Sequence, residues 1–239
     1  MEYYVFDNQE CLKEKNSVII GGGLYKHLAI VLRKKTGEKI ELTDGKGNIY
    51  ECNIVKIDKH SVYCEIINIK SGLYEPDIKV RLFISPLRNQ IRFEFAVEKA
   101  VEIGVAEIIP VITKHTVNKN KFSDIKLKRL RNIIKSAAGQ SQRCILPSLI
   151  NTVSFSEMIE LTNESKYKIV MYEHSDVEQN KHLKIENNKV DLLIGPEGGF
   201  CSDEIEILMQ NGWIVMSLGK RKLRAETASV VSLFQILNY

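Results

Sequence analysis

Apolar and polar positions keep one rhythm up to residue 72 and another after it. In the first stretch, short apolar runs between polar turns predict strands at Val18-Ile-Ile20, Lys39 to Leu42, Ile49 to Lys56 and Ser61 to Ile69. The run Asp44-Gly45-Lys46-Gly47-Asn48 has hairpin-turn chemistry. One short helix is expected from Tyr25 to Arg33, with Leu28, Val31 and Leu32 turned inward. The Gly21-Gly-Gly23 before it faintly suggests a dinucleotide loop, but the G-x-G-x-x-G spacing fails and no second βαβ strand with a terminal acid follows. Short strands with polar turns and one helix suit a small closed barrel.

Ser71-Gly72 and Pro76 break the pattern, dividing the chain into domains at 1–72 and 73–239. Beyond the break, strands alternate with amphipathic helices. Val80 to Ile84, Ala106 to Ile112, Lys168 to Tyr172, Val190 to Ile194 and Ile214 to Ser217 read as strands, and Pro110 points to a sheet edge or strand end. Arg88 to Ile103 reads as a helix with Ile91, Phe95, Val97, Ala100 and Val101 facing the core, and Gly104 stops it. Lys126 to Ala138 turns Leu127, Leu130, Ile133, Ile134 and Ala137 inward, and Ser154 with Glu157 forms a capping box. Further helices begin near Ser202 and at Ala225, and Glu173 to Lys189 reads as a polar loop. This alternation means α/β architecture: a mostly parallel sheet with helices on both faces.

Composition narrows the setting. No segment reaches the roughly eighteen apolar residues of a membrane span, and Met1-Glu-Tyr-Tyr-Val-Phe-Asp7 has no basic leader, so a cytoplasmic protein is expected. Cys11, Cys52, Cys64, Cys144 and Cys201 form an odd set without a Cys-x-x-Cys pair, which reads as reduced thiols and no metal. His27, His60, His115, His174 and His182 are scattered and assemble no triad. The net charge of +4 conceals a basic run from Lys114 to Arg143, with nine Lys or Arg against Asp124 alone. Such a stripe suits a polyanion partner, and it serves equally as a solvated helix face.

Candidate chemistry concentrates in two strand–loop–helix segments. Asp191-Leu-Leu-Ile-Gly-Pro-Glu-Gly-Gly-Phe200 and Ser217-Leu-Gly-Lys-Arg-Lys-Leu-Arg-Ala-Glu-Thr-Ala228 each follow a predicted strand. Loops at the carboxyl ends of neighbouring strands are where an open α/β sheet binds ligands, and glycines let a ligand approach bare backbone. Taken singly, Gly-Pro-Glu-Gly-Gly is more often a surface turn, and Arg224 and Glu226 are solvated charges at a helix start. Their pairing ahead of an apolar last helix gives them weight.

That pairing resembles the SPOUT class of RNA methyltransferases, and within it the ribosomal RNA small subunit methyltransferase E family. The matching segments are Leu193-Ile-Gly-Pro-Glu-Gly-Gly199 and Leu218-Gly with Leu223-Arg224, Glu226-Thr-Ala228. Arg92-Phe-Glu94, Glu98-Lys99, Glu102-Ile-Gly-Val105, Ile109-Pro110, Ala137-Ala138, Gln140-Ser141, Arg143 and Pro147 also follow the family's order. So do His27, Val31-Leu-Arg33, Gly37 and Asp44-Gly45 in its N-terminal module. The resemblance implies a PUA-like β-barrel followed by a SPOUT α/β domain with a C-terminal trefoil knot, working as a homodimer. It implies S-adenosylmethionine as cofactor, held by Leu193, Ile194, Gly195, Glu197, Gly198, Leu218, Gly219, Leu223 and Arg224; Tyr172, at the end of its own strand, is a candidate third wall and reads equally as a core tyrosine. It implies N3 of a uridine in small-subunit (16S) ribosomal RNA, free or in the subunit, as acceptor, with no metal. Arg33, Arg88, Arg92, Lys114, His115, Lys121, Gln140 and Arg143 would then grip the RNA.

The uridine N3–H must lose its proton before N3 becomes a good nucleophile. Arg224 is the candidate cation to stabilise the anion, and Glu226 or Glu197 the candidate base or orienting group; Glu226 could equally cap the last helix. The chain departs from the family pattern at Asn89-Gln90 (for Lys-Gly), Lys114-His115-Thr116 (for Glu-Arg-Ser), Ser136 (for Glu) and Ala225 (for Thr). Two rivals follow: an RNA-binding protein of the same fold with altered target or lost catalysis, and a nucleotide- or phosphate-binding enzyme using the glycine loop as an anion cradle. The absent G-x-x-x-x-G-K-[ST] and the basic run count against the second.

Overall fold

The computed structural model describes residues 3–6, 11–173 and 189–238, so His174, His182 and most of the polar loop expected from Glu173 to Lys189 lie outside the described residues. The chain forms two compact units. One runs to Glu75 and includes Ala138–Leu146; the other comprises Pro76–Ala137 and the chain from Pro147.

In the first unit, β1 (Tyr3–Val5), β2 (Cys11–Lys13), β3 (Ser17–Ile20), β4 (Lys39–Thr43), β5 (Asn48–Ile57) and β6 (Val62–Ser71) make one sheet in the order β1-β4-β5-β6-β3-β2. It is antiparallel except where β1 joins β4. The β4–β5 turn is tied by Asp44, whose carboxylate accepts from Lys46 N (2.8 Å), Asn48 Nδ2 (2.8 Å) and the Tyr50 hydroxyl (3.0 Å). Gly45 and Gly47 supply the positive φ that the turn requires. The core holds Phe6, Ile20, Leu28, Ile40, Leu42, Tyr50 and Ile54. Among the described residues before Glu75, the one helix is α1 (Gly22–Tyr25), running on as a π-helical turn over Lys26–Val31. Leu28 is buried, but Val31 and Leu32 are exposed, contrary to expectation, because the wider π turn rotates them off the α-helical stripe.

The second unit alternates β7 (Lys79–Ile84), α2 (Gln90–Ile103), β8 (Glu107–Ile112), α3 (Asp124–Gln140), β9 (Ser148–Leu149), β10 (Val153–Ser154), α4 (Phe155–Leu161), β11 (Lys168–Met171), β12 (Lys189–Ile194), α5 (Ser202–Gln210), β13 (Ile214–Met216) and α6 (Ala225–Leu237). The last three residues of α3 group with the first unit. All described pairings in this sheet are parallel, in the order β10-β8-β7-β12-β11-β13, with β9 also on β8. Side chains alternate between faces. Phe83, Ile109, Val111, Val170 and Leu193 join Met158 of α4 and Ile205 and Leu208 of α5 on one side, around Trp213. On the other side α6 packs on β7 and β12 and against α2.

In α2, Phe93, Ala96, Val97, Ala100 and Val101 are buried, whereas Ile91 (73% exposed) and Phe95 (45%) are not. Positions 91 and 95 share the face opposite the buried stripe, which a 3.6-residue period separates from 93, 97 and 100. Pro110 is inside β8, not at an edge or end. Ala106 O and Ile108 O accept from Ser148 N and Ile150 N, and β10 takes over at Val111, so Pro110 falls in the gap between two short neighbours where no N–H is needed. Gly104 ends α2 in the left-handed region, φ 117°, as expected. The Ser154–Glu157 capping box is present on α4.

β12 is bound to β7 by side chains as well as backbone. Arg81 Nε and Nη2 donate to Asp191 Oδ1 (2.6 Å) and Oδ2 (2.7 Å) across the paired positions, and Asp191 is buried. Arg81→Met leaves that carboxylate buried without its cation, a loss of about 3 kcal/mol or more. Denaturant unfolding followed through Trp213, the sole tryptophan, checks this as a clearly lower midpoint.

Candidate functional site

Three parallel strands, β12, β11 and β13, lie side by side and end at the same edge of the sheet. The strand order is not the chain order, since β12 inserts between β7 and β11. Crevices at the carboxyl ends of such strands are where open sheets bind ligands. Here the three loops enclose a pocket of about 320 Å³. Met171, Tyr172 and Glu173 follow β11. Ile194, Gly195, Pro196, Glu197, Gly199 and Phe200 come from β12 and its loop. Ser217, Leu218, Gly219, Arg221, Lys222, Leu223, Arg224, Ala225 and Ala228 come from the loop after β13 and the start of α6, and Arg92 reaches in from α2.

Local chemistry explains the shape. Tyr172 N donates to Met216 O at 2.8 Å, which holds the β11 and β13 ends together. Phe200 is buried behind Gly195, where an added Cβ would stand 2.9 Å from the ring. The loop after β12 turns into α5, whose start is closed by Glu204: its Oε2 accepts from Cys201 N (3.1 Å) and its Oε1 from Lys114 N (2.8 Å). Lys222 Nζ pairs with Glu173 Oε1 at 3.1 Å across the mouth. Arg224 is the residue preceding α6 and is exposed, and its guanidinium makes no hydrogen bond or ion pair among the described residues.

Of the residues expected to hold a cofactor, Tyr172, Ile194, Gly195, Glu197, Leu218, Gly219, Leu223 and Arg224 line this pocket. Leu193 does not: it alternates to the other face and is fully buried against Phe83 and Trp213. Gly198 turns to an adjoining groove, lined by Arg88, Asn89, Arg92, His115, Val117, Glu197 and Gly198. Arg92 and Glu197 line both spaces. Glu226 lines neither. It is 8% exposed on the first turn of α6, and its Oε1 lies 3.7 Å from Arg92 Nε. A carboxylate so placed braces an arginine of the pocket wall.

The expected RNA contacts divide. Arg88, Arg92 and His115 share the groove. Lys114 Nζ lies 3.5 Å from Asp203, and Lys121 Nζ 3.9 Å from Glu157. Arg33 and Gln140, both in the first unit, are exposed. Arg143 is instead buried, 4% exposed, with Nη2 2.7 Å from Glu75 Oε2, and Ile145 N donates to the other oxygen of Glu75. It staples Ala138–Leu146 within the first unit. Arg129, also in the basic run, is held by Glu94, whose carboxyl that guanidinium keeps below the usual carboxylate range. No group of three or more metal-ligating side chains occurs among the described residues, and no described helix is long and apolar enough to cross a membrane.

Cysteine exposure is uneven. Burial pushes the Cys52 and Cys64 thiols up to about 12, and Cys11 and Cys144 are buried as well. Cys201, beside Phe200 at the start of α5, is the thiol within reach of solvent. A small alkylating reagent is therefore expected to label Cys201 in the folded protein and the other four only on unfolding, as peptide mass mapping would record.

Residues 74–237 match the RNA methyltransferase domain family, and residues 20–67 match the RNA methyltransferase PUA domain. The ribosomal RNA small subunit methyltransferase E of Mesomycoplasma hyopneumoniae is 35% identical over 182 residues, 75% of this chain and 78% of its own. That of Buchnera aphidicola subsp. Schizaphis graminum is 31% identical over 223 residues, 91% of this chain and 89% of its own. The crystal structure of the Neisseria gonorrhoeae ribosomal RNA small subunit methyltransferase E bound to S-adenosyl methionine superposes with a TM-score of 0.87 at 26% identity, covering 99% of this chain and 98% of that one.

Proposed function

The chain belongs to the ribosomal RNA small subunit methyltransferase E family, and on that premise we propose that it transfers a methyl group from S-adenosylmethionine to N3 of a uridine in small-subunit (16S) ribosomal RNA. The observation that carries this reading is the convergence of the loops after β11, β12 and β13 on one pocket.

The pocket suits the cofactor. Ile194, Phe200, Leu218 and Leu223 offer an apolar wall, while Gly195, Gly199 and Gly219 leave backbone open to polar groups of a bound molecule. When bound, S-adenosylmethionine supplies a methyl group already activated on a sulfonium. The protein's part is to hold an acceptor in line and to favour its deprotonated form. Arg224, exposed at the pocket rim, is the cation we assign to the uridine anion. Glu226 acts through Arg92, which stands between the pocket and the groove. Arg88, Arg92 and His115 face the groove through which the nucleotide would enter, and a stacked base would have to be flipped to reach it. Arg33 and Gln140 of the first unit add contacts to the RNA backbone.

Four finer points belong to the same reading. The last helix is threaded as a trefoil knot, the first-unit sheet closes as a PUA-like barrel, and the protein acts in the cytoplasm as a homodimer. Exposed Ile91 and Phe95 on α2 and Phe234 on α6 support the dimer as apolar surface that a second copy would cover.

The test is transfer of labelled methyl from S-adenosylmethionine to small ribosomal subunits lacking the modification, with the modified base mapped. Label on one uridine N3 is expected for the wild type, reduced by about 10²-fold or more in Arg224→Ala. Absence of label on any ribosomal RNA, despite cofactor binding, would leave an RNA-binding protein without this catalysis.

A further inference from the structure

A base able to take the N3 proton is still to be found among the groups facing the groove. Glu226 is buried behind Arg92. Glu197 Oε1 is held by Arg88 N at 3.0 Å, and a carboxylate oxygen is in any case a weaker base in water than an imidazole nitrogen. Arg88 and Arg92 offer no acceptor. His115 remains.

Its surroundings fix its chemistry. Nδ1 of His115 lies 3.0 Å from Gly198 O and 3.2 Å from Gly199 O. Both partners are carbonyl oxygens, which only accept, so Nδ1 must carry the hydrogen, and in the neutral ring the lone pair is on Nε2. The backbone beneath the ring is anchored as well. Thr113 N donates to Thr116 Oγ1 (2.9 Å) and Thr116 N to Thr113 O (3.2 Å), and both threonines are buried. Gly198 packs so closely on His115 that an added Cβ would stand 3.0 Å from the histidine Cβ. His115 thus lines the groove while gripping the loop whose next residue, Gly199, lines the pocket.

We infer that His115 is the general base of the reaction. The inference rests on the methyl transfer proposed above and goes beyond it by naming the proton acceptor. In the step, Nε2 takes the proton from uridine N3, and the electron pair left on N3 forms the N3–CH₃ bond. The methyl–sulfur bond breaks with its pair staying on sulfur, so the sulfonium becomes a neutral thioether, and the imidazolium returns its proton to water.

Two measurements test it. Long-range ¹H–¹⁵N correlation of the labelled free protein reads the tautomer, and Nδ1–H with a bare Nε2 is expected at His115; an Nε2–H ring would overturn the assignment. His115→Asn keeps an N–H for the glycine carbonyls and removes the base. It should lower kcat by about 10²-fold while calorimetric affinity for S-adenosylmethionine stays within about twofold. On RNA containing 5-fluorouridine, whose N3–H is more acidic, that deficit should shrink. An asparagine variant with wild-type kcat, or one whose only defect is weakened cofactor binding, would reduce His115 to a loop clamp. A wild type that methylates no RNA would instead end the proposed activity and this inference with it.

Discussion

The candidate site depends on a buried strand having neighbours on both sides. β12 is held by β7 on one edge and β11 on the other, and both faces of it are covered by helices. Its backbone groups are satisfied within the sheet, so the chain can leave only from the carboxyl end, and it does so as Gly195-Pro-Glu-Gly-Gly199. The Arg81–Asp191 pair locks the start of the same strand to β7. With that strand fixed, the ends of β11 and β13 fall beside the glycine loop, and the pocket is the space the three leave.

Electrostatics then decides which cations remain for a polyanion. The basic run is strongly positive in sequence, yet much of it is spent within the fold. Arg129 is paired with Glu94 and Arg143 with Glu75. The Lys126 ammonium stands 3.7 Å from the centre of the Phe122 ring, and burial lowers its pKa. Arg224, in contrast, projects its charge at the pocket rim, and Arg92 is shared between pocket and groove with a buried carboxylate behind it. A partly desolvated cation with a fixed partner is worth more to a developing anion than a mobile one in water.

Much of this was legible in the sequence where local chemistry decides. The Gly104 stop, the Ser154–Glu157 capping box and the strand-to-loop transitions at Ile194 and Met216 are all written in short segments. What could not be read depends on partners far along the chain. Arg92 enters the pocket from a helix more than a hundred residues before the loop that meets it, and Arg143 is buried by Glu75, sixty-eight residues away. Ala138–Leu146 groups with the first unit although it begins inside α3. β1, β2, β9 and β10 are too short to carry a periodic signal. Pro110 reads as a strand end until β9 and β10 are seen to leave a gap opposite it.

On the proposed reading, the loops after β11, β12 and β13 act together as the cofactor site. Amide hydrogen exchange of the full chain with and without S-adenosylmethionine tests it most directly. Slowed exchange is expected at Gly195 to Phe200 and at Ser217 to Ala225, with Gly21-Gly-Gly23 of the first unit unchanged. Protection confined to other segments, or none at saturating cofactor, would contradict it.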